Sequence, residues 1–143
     1  MNFFKLFRRP PDYIVGDISD PYLKRWWIVP RNKYLNIYLH HFLRSDDDRA
    51  LHDHMYDNVS ILLHGAYNEQ KTNGKRYIKA PNIIFRKAAT LHRIELIDNC
   101  STWTLFITGP RYREWGFSCP QGWRPWQKFV DMNNPGLRGP GCD

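Results

Sequence analysis

The chain has 143 residues, 42% of them hydrophobic and 15% aromatic, enough to close one core and too apolar for a disordered chain. Its formal net charge of +7, from 21 Lys and Arg against 14 Asp and Glu, is scattered along the sequence rather than set in one stripe, which argues against a nucleic-acid binder and for a solvated basic surface. No apolar run approaches membrane-spanning length, so no membrane partner is expected.

The start, Phe3-Phe4-Lys5-Leu6-Phe7-Arg8-Arg9, places its charges after a very short apolar run, the reverse of a secretory signal. Residues 1–20 read as an N-terminal arm rich in Pro, Asp and Gly, ending at Asp20-Pro21. Tyr22 to Val29 has the aromatic and β-branched content of a strand, and Pro30 to Lys33 reads as the turn after it. In Leu35 to Leu43 the odd positions Leu35, Ile37, Leu39, His41 and Leu43 form the more aliphatic face, which predicts His41 inward and His40 outward. Ser45 to Arg49 is a polar loop. Asp57 to His64 is the next strand, bent at Gly65, and Asn73-Gly74 marks a hairpin between Tyr67–Lys71 and Arg76–Lys79. Ile83 to Arg86 and the segment from His92 follow as strands. The clearest alternation sets Ser101, Trp103, Leu105 and Ile107 against Thr102, Thr104, Phe106 and Thr108, and predicts the Trp103 face as core. Arg111 to Ser118 is strand-like, with Arg111, Arg113, Trp115 and Phe117 on one face; a short helix is expected near Trp126 to Val130. Residues 21–131 are thus expected to form one all-β domain and residues 132–143 a flexible tail. Cys100, Cys119 and Cys142, odd in number and widely spaced, indicate neither a disulfide framework nor a zinc knuckle and suit a reducing, cytoplasmic setting.

The chemistry concentrates in Leu51-His52-Asp53-His54-Met55-Tyr56-Asp57. On an extended segment His52 and His54 point to one side and Asp53 to the other. Much later, in Thr90-Leu91-His92-Arg93-Ile94-Glu95-Leu96, His92 shares a face with Ile94 and Leu96 and so looks inward. Three neutral imidazoles on the inner wall of a sheet suit Fe, Zn, Ni or Cu, with coordination positions left for water or substrate.

His-x-His entering a strand that closes on Gly65, followed by a lone His after a bend, resembles the two-motif pattern of the cupin superfamily. The resemblance covers about residues 23–118. It implies a double-stranded β-helix (jelly-roll) barrel, with His52, His54 and His92 as ligands of a divalent metal, iron first and Zn, Ni or Mn as alternatives. The acid of the first motif has its nearest counterpart in Asp57, which stands one position early and on a regular strand points away. A bulge would make it a ligand; otherwise it supports an imidazole N–H from behind. The second motif, Lys87 to His92, has the family's spacing without its Pro and Gly.

Around this site Tyr56, Tyr67 and Glu69 are candidate acid, base or orienting groups. Arg111 and Arg113, with His41, are candidates for holding a small, anionic substrate. A metal with only neutral ligands keeps its positive charge and draws anionic or enolisable substrates. The leading expectation is a mononuclear non-haem iron oxygenase. The alternatives are a sugar or sugar-nucleotide isomerase or epimerase, and a binding module with a structural metal. Edge strands and an N-terminal arm are compatible with a homodimer.

Overall fold

The computed structural model describes residues 8–46, 50–137 and 139–143. The apolar start up to Phe7 and the Asp47-Asp48-Arg49 part of the polar loop lie outside them. Eleven strands and one helical turn follow in chain order among the described residues. They are β1 (Tyr13–Asp17), β2 (Asp20–Trp27), β3 (Asn36–Phe42), β4 (Asn58–His64), β5 (Ala66–Lys71), β6 (Gly74–Lys79), β7 (Asn82–Arg86), β8 (His92–Leu96), β9 (Thr102–Thr108), β10 (Gly116–Cys119), β11 (Gly122–Pro125) and α1 (Trp126–Phe129).

One sheet has the order β1-β2-β3-β9-β4-β7; opposite it lie β6-β5-β8 and the hairpin β10-β11. His52 joins these last two by bridging His92 on β8 and Phe117 on β10, so the second wall runs on through the histidine segment itself. Ordered pairing begins earlier than the expected arm allows, because β1 pairs antiparallel with β2. Gly65 makes the bend between β4 and β5 at φ 88°, where a Cβ would stand 2.7 Å from Thr102 Oγ1, so the turn requires glycine.

The main core packs Leu23, Phe42, Leu62, Tyr67, Ile78, Ile84, Ile94 and Leu96 between the walls. Each such side chain, when fully buried, stabilises the fold by about 1.5–3 kcal/mol. The six-stranded sheet reverses the expected faces. Thr102, Thr104, Phe106 and Thr108 of β9 are buried, whereas Trp103 and Leu105 lie on the outer face, against Trp26 and Leu39. On β3 the same reversal buries His40 and turns His41 outward to stack on Trp103 at 3.9 Å. The inner faces of β4, β7 and β9 carry Ser60, Arg86 and Thr104 because they line a cavity rather than a dry core.

The cysteine expectation is corrected: Cys119 and Cys142 form a disulfide, and Cys100 is free and exposed. Among the described residues after Asp131 there is no strand or helix, but several contacts tie them to the domain. Gly141 N–H donates to Phe129 O at 2.9 Å, and Arg124 donates to Gly141 O at 2.5 Å. Gly136 lies so close to β1 that a Cβ would come within 2.4 Å of Gly16 N. Among the described residues, no helix is long and apolar enough to cross a membrane.

Candidate metal centre

His52 and His92 face each other as a hydrogen-bonded antiparallel pair, each N–H donating to the other's carbonyl at 2.9 Å. Paired residues of this kind present their side chains on one face. His54, two positions on, returns to the same face and is held by its N–H donating to Ala88 O at 2.9 Å. The three rings form a nearly equilateral triangle, with centroids 4.8, 5.1 and 5.3 Å apart. One ligand nitrogen from each lies within 4.8 Å of the others.

Behind the triangle, His92 Nδ1–H donates to Glu69 Oε1 at 2.9 Å, which fixes the tautomer with the Nε2 lone pair free to look inward. Arg86 donates to the same oxygen at 2.5 Å, to Ser60 Oγ at 2.8 Å and to the Tyr67 hydroxyl at 3.3 Å. Burial acts to raise the Glu69 carboxyl, but the His92 hydrogen bond and the Arg86 charge outweigh it and hold the group at about 2. Burial also lowers His92 to about 4, against the Glu69 hydrogen bond, and pushes His54 well below the ordinary imidazole range. Both are therefore neutral at pH 7, the form that ligates metal. Asp46 Oδ2 lies 3.8 Å from His52 Nδ1.

The donor set fits a divalent ion. His54 Nδ1 and His92 Nε2 are buried with no hydrogen-bond partner among the described residues, a costly state that a coordinated cation would relieve. The triangle opens on a cavity of about 300 Å³ whose wall also includes Arg25, His40, Tyr56, Thr104, Phe106 and Phe117.

The residues singled out in the sequence fall into three groups. Those brought together are His52, His54 and His92, with Tyr56 on the cavity wall and Glu69 behind His92. Tyr67 also lines the cavity, with its hydroxyl on Arg86. Asp57 is not part of the cluster. It accepts from Tyr112 O–H at 2.7 Å, Ala88 N–H at 2.8 Å and Lys87 Nζ at 3.2 Å, and so pins the bend before His92. Arg111, Arg113 and His41 do not line the cavity. The expected strand begins only at Gly116; Arg111 pairs with Glu114 on the surface, and Arg113 binds Asp53 at 2.9 Å and the His54 carbonyl at 2.9 Å.

Sequence reasoning missed Arg25, His40, Asp46, Asp53 and Arg86. The signal for Arg86 was its alternation with Ile84, which puts both on one face of a strand that also carries Phe85 on the other. Asp53 looks away from the cluster, as the period of two requires, and accepts from Gly116 N–H at 2.8 Å and Trp123 Nε1–H at 3.0 Å.

No family model matches the chain, and no curated protein matches it. Solved structures do match in fold. A cupin superfamily protein from Desulfitobacterium hafniense has a TM-score of 0.52 at 15% identity, over 62% of this chain and 77% of that one. A putative mannose-6-phosphate isomerase from Ralstonia eutropha has a TM-score of 0.56 at 16% identity, over 69% and 92%. FeII HppE has a TM-score of 0.57 at 13% identity, over 71% of this chain and 57% of that one. With antiparallel strands in two facing walls and these neighbours, the chain has the fold of the cupin superfamily, a double-stranded β-helix.

Proposed function

We propose that the protein is a metal-dependent enzyme in which His52, His54 and His92 hold one divalent ion, iron first, and that it acts as an oxygenase on a small substrate in the adjoining cavity. The observation that carries this reading is the convergence of three imidazoles within 4.8 Å at the cavity wall, two of them with buried, unpaired ring nitrogens. A bound ion there supplies Lewis acidity and, as iron, a one-electron couple toward O₂.

The chain's own residues supply the setting. Arg86 keeps Glu69 ionised, Glu69 holds the His92 ring, and burial keeps His54 and His92 unprotonated. Burial raises the Tyr56 phenol, so it stays protonated at neutral pH and is suited to donate a hydrogen bond to a substrate oxygen. Glu69 and Tyr67, both engaged by Arg86, are positioning residues in this reading. Phe106 and Phe117 give the cavity wall apolar faces.

The test is elemental analysis of protein purified without a His tag, for wild type, His52→Ala and His92→Ala. Near-stoichiometric iron lost in both variants is the expected result and directs assays to O₂ consumption. Zinc or nickel lost in both keeps the site and removes the iron oxygenase reading, leaving the isomerase and the binding module with a structural metal. Metal unaffected by either change removes the site.

A further inference from the structure

The charge balance around the cavity is uneven. The acids at the wall are already engaged. Asp46 accepts from Tyr22 O–H and from Ile94 N–H at 2.8 Å, and Asp53 is taken by Arg113 at 2.9 Å. Of the guanidinium groups near the triangle, Arg86 is matched by Glu69 and Arg113 by Asp53. Arg25 lines the same cavity and has no carboxylate partner among the described residues.

Its orientation is nevertheless fixed. Arg25 Nε–H donates to His40 Nε2 at 2.8 Å, and the guanidinium carbon lies 4.7 Å from the centroid of the Tyr38 ring. His40 can accept only as a neutral ring, and burial with the Arg25 charge beside it keeps it so. Stacking of the His40 ring on Phe106 at 5.1 Å holds it in place. The bond from Nε leaves both terminal nitrogens of the fork for another acceptor. Arg31 stands with Arg25, Trp27 and Trp115 around a hollow that adjoins the cavity, and the charges of both arginines reach Tyr56.

We propose that Arg25 is the anion anchor of the cavity: the substrate carries a carboxylate or phosphate that takes the two terminal nitrogens of Arg25, with His40 as the residue that positions the fork. A planar, pre-oriented guanidinium with no carboxylate partner among the described residues matches such an oxyanion bidentately. The cavity's roughly 300 Å³ suits a small metabolite. This rests on the cavity being the substrate site proposed above, but not on the metal.

The experiment is calorimetric titration of chelator-treated, metal-free protein with succinate and, separately, with inorganic phosphate, at pH 7 and low ionic strength. Wild type is expected to bind at least one of them saturably, and the tighter of the two identifies the oxyanion. Arg25→Gln is expected to weaken that binding tenfold or more, and Arg25→Lys, which keeps the charge but loses the fork, to weaken it severalfold. Arg111→Gln, outside the cavity, is expected to change nothing. Circular dichroism of each variant confirms folding, and Arg25→Lys carries the test if Arg25→Gln does not fold. Equal affinity in wild type and both Arg25 variants, or no saturable binding to metal-free wild type, overturns the proposal. Binding that appears only after metal is added overturns it too, while leaving the metal site intact. Loss on Arg25→Gln in a protein that never takes up metal upholds the anchor and removes the oxygenase reading.

Discussion

Glu69→Gln isolates the ion pair behind the histidine triangle. The side chains of Glu69 and Arg86 are each 1% exposed, and one oxygen of Glu69 serves both Arg86 and His92. The amide keeps the size and one acceptor but removes the counter-charge, so a buried guanidinium is left with Ser60, Tyr67 and an amide. Removing one partner of a buried pair costs about 3–5 kcal/mol. For a chain of this length, that lowers the melting temperature by about 10–15 °C. Urea unfolding of metal-free protein measures the cost directly. Glu69→Gln combined with Arg86→Met should recover part of the loss, since no unpaired charge then remains and only the Ser60 and Tyr67 hydroxyls lose a partner. Metal affinity should fall about 10- to 100-fold in the single variant, because His92 loses its carboxylate acceptor. A loss below about 1 kcal/mol, with no recovery in the double variant, would mean that water reaches the pair and that Glu69 does not organise the site.

Two further outcomes concern pH and the C-terminus. His92, lowered to about 4 from 6.5 on folding, contributes stability that is present above pH 6.5 and lost as pH falls through 4; Glu69, lowered to about 2 from 4.5, adds a loss between those values. Metal-free protein should therefore have a lower urea midpoint at pH 5 than at pH 7, and about 3 kcal/mol from His92 alone should be gone by pH 4; a flat profile from pH 7 to 4 would show His92 to be solvated. Cys142→Ser opens a link between residues 23 apart in sequence, which loop-closure entropy values at about 3 kcal/mol. Its melting temperature should match that of reduced wild type and be unresponsive to reductant.

The histidine triangle was legible in the sequence because it depends on the one thing a period of two determines, namely which residues share a side. His52 and His54 do so at any register, and His92 sits in an alternating strand with Ile94 and Leu96. What alternation does not determine is which side looks in. On β9 the aliphatic face Trp103, Leu105, Ile107 was expected inside, and the structure buries the threonine face instead. The same inversion exchanged His40 with His41 and so hid Arg25, which donates to His40. Arg111 and Arg113 were misplaced for another reason: the strand that would have aligned them starts at Gly116. The disulfide depends on the chain returning from Cys142 to β10, which no spacing reveals.

The inverted faces of β3 and β9 have a cause that is itself informative about function. A strand whose aliphatic residues point into a dry core obeys the usual rule, but β3, β4, β7 and β9 line a cavity and turn Ser60, Arg86, Thr104 and His40 toward it beside Phe42 and Phe106. Its aliphatic residues then have to pack elsewhere. They do so across the outer face, where Ile37 pairs with Ile107 and Ile107 with Val59, while Leu39 pairs with Leu105 and Leu105 with Ile61. Cross-strand apolar pairs of this kind each add a few tenths to about 1 kcal/mol to the sheet. The face inversion is thus the structural counterpart of the site: the residues that made the sheet look ordinary in sequence are the outer support behind an inner face that carries Arg25, His40 and Arg86, among Leu23, Phe42, Leu62 and Ile84, toward the three histidines opposite.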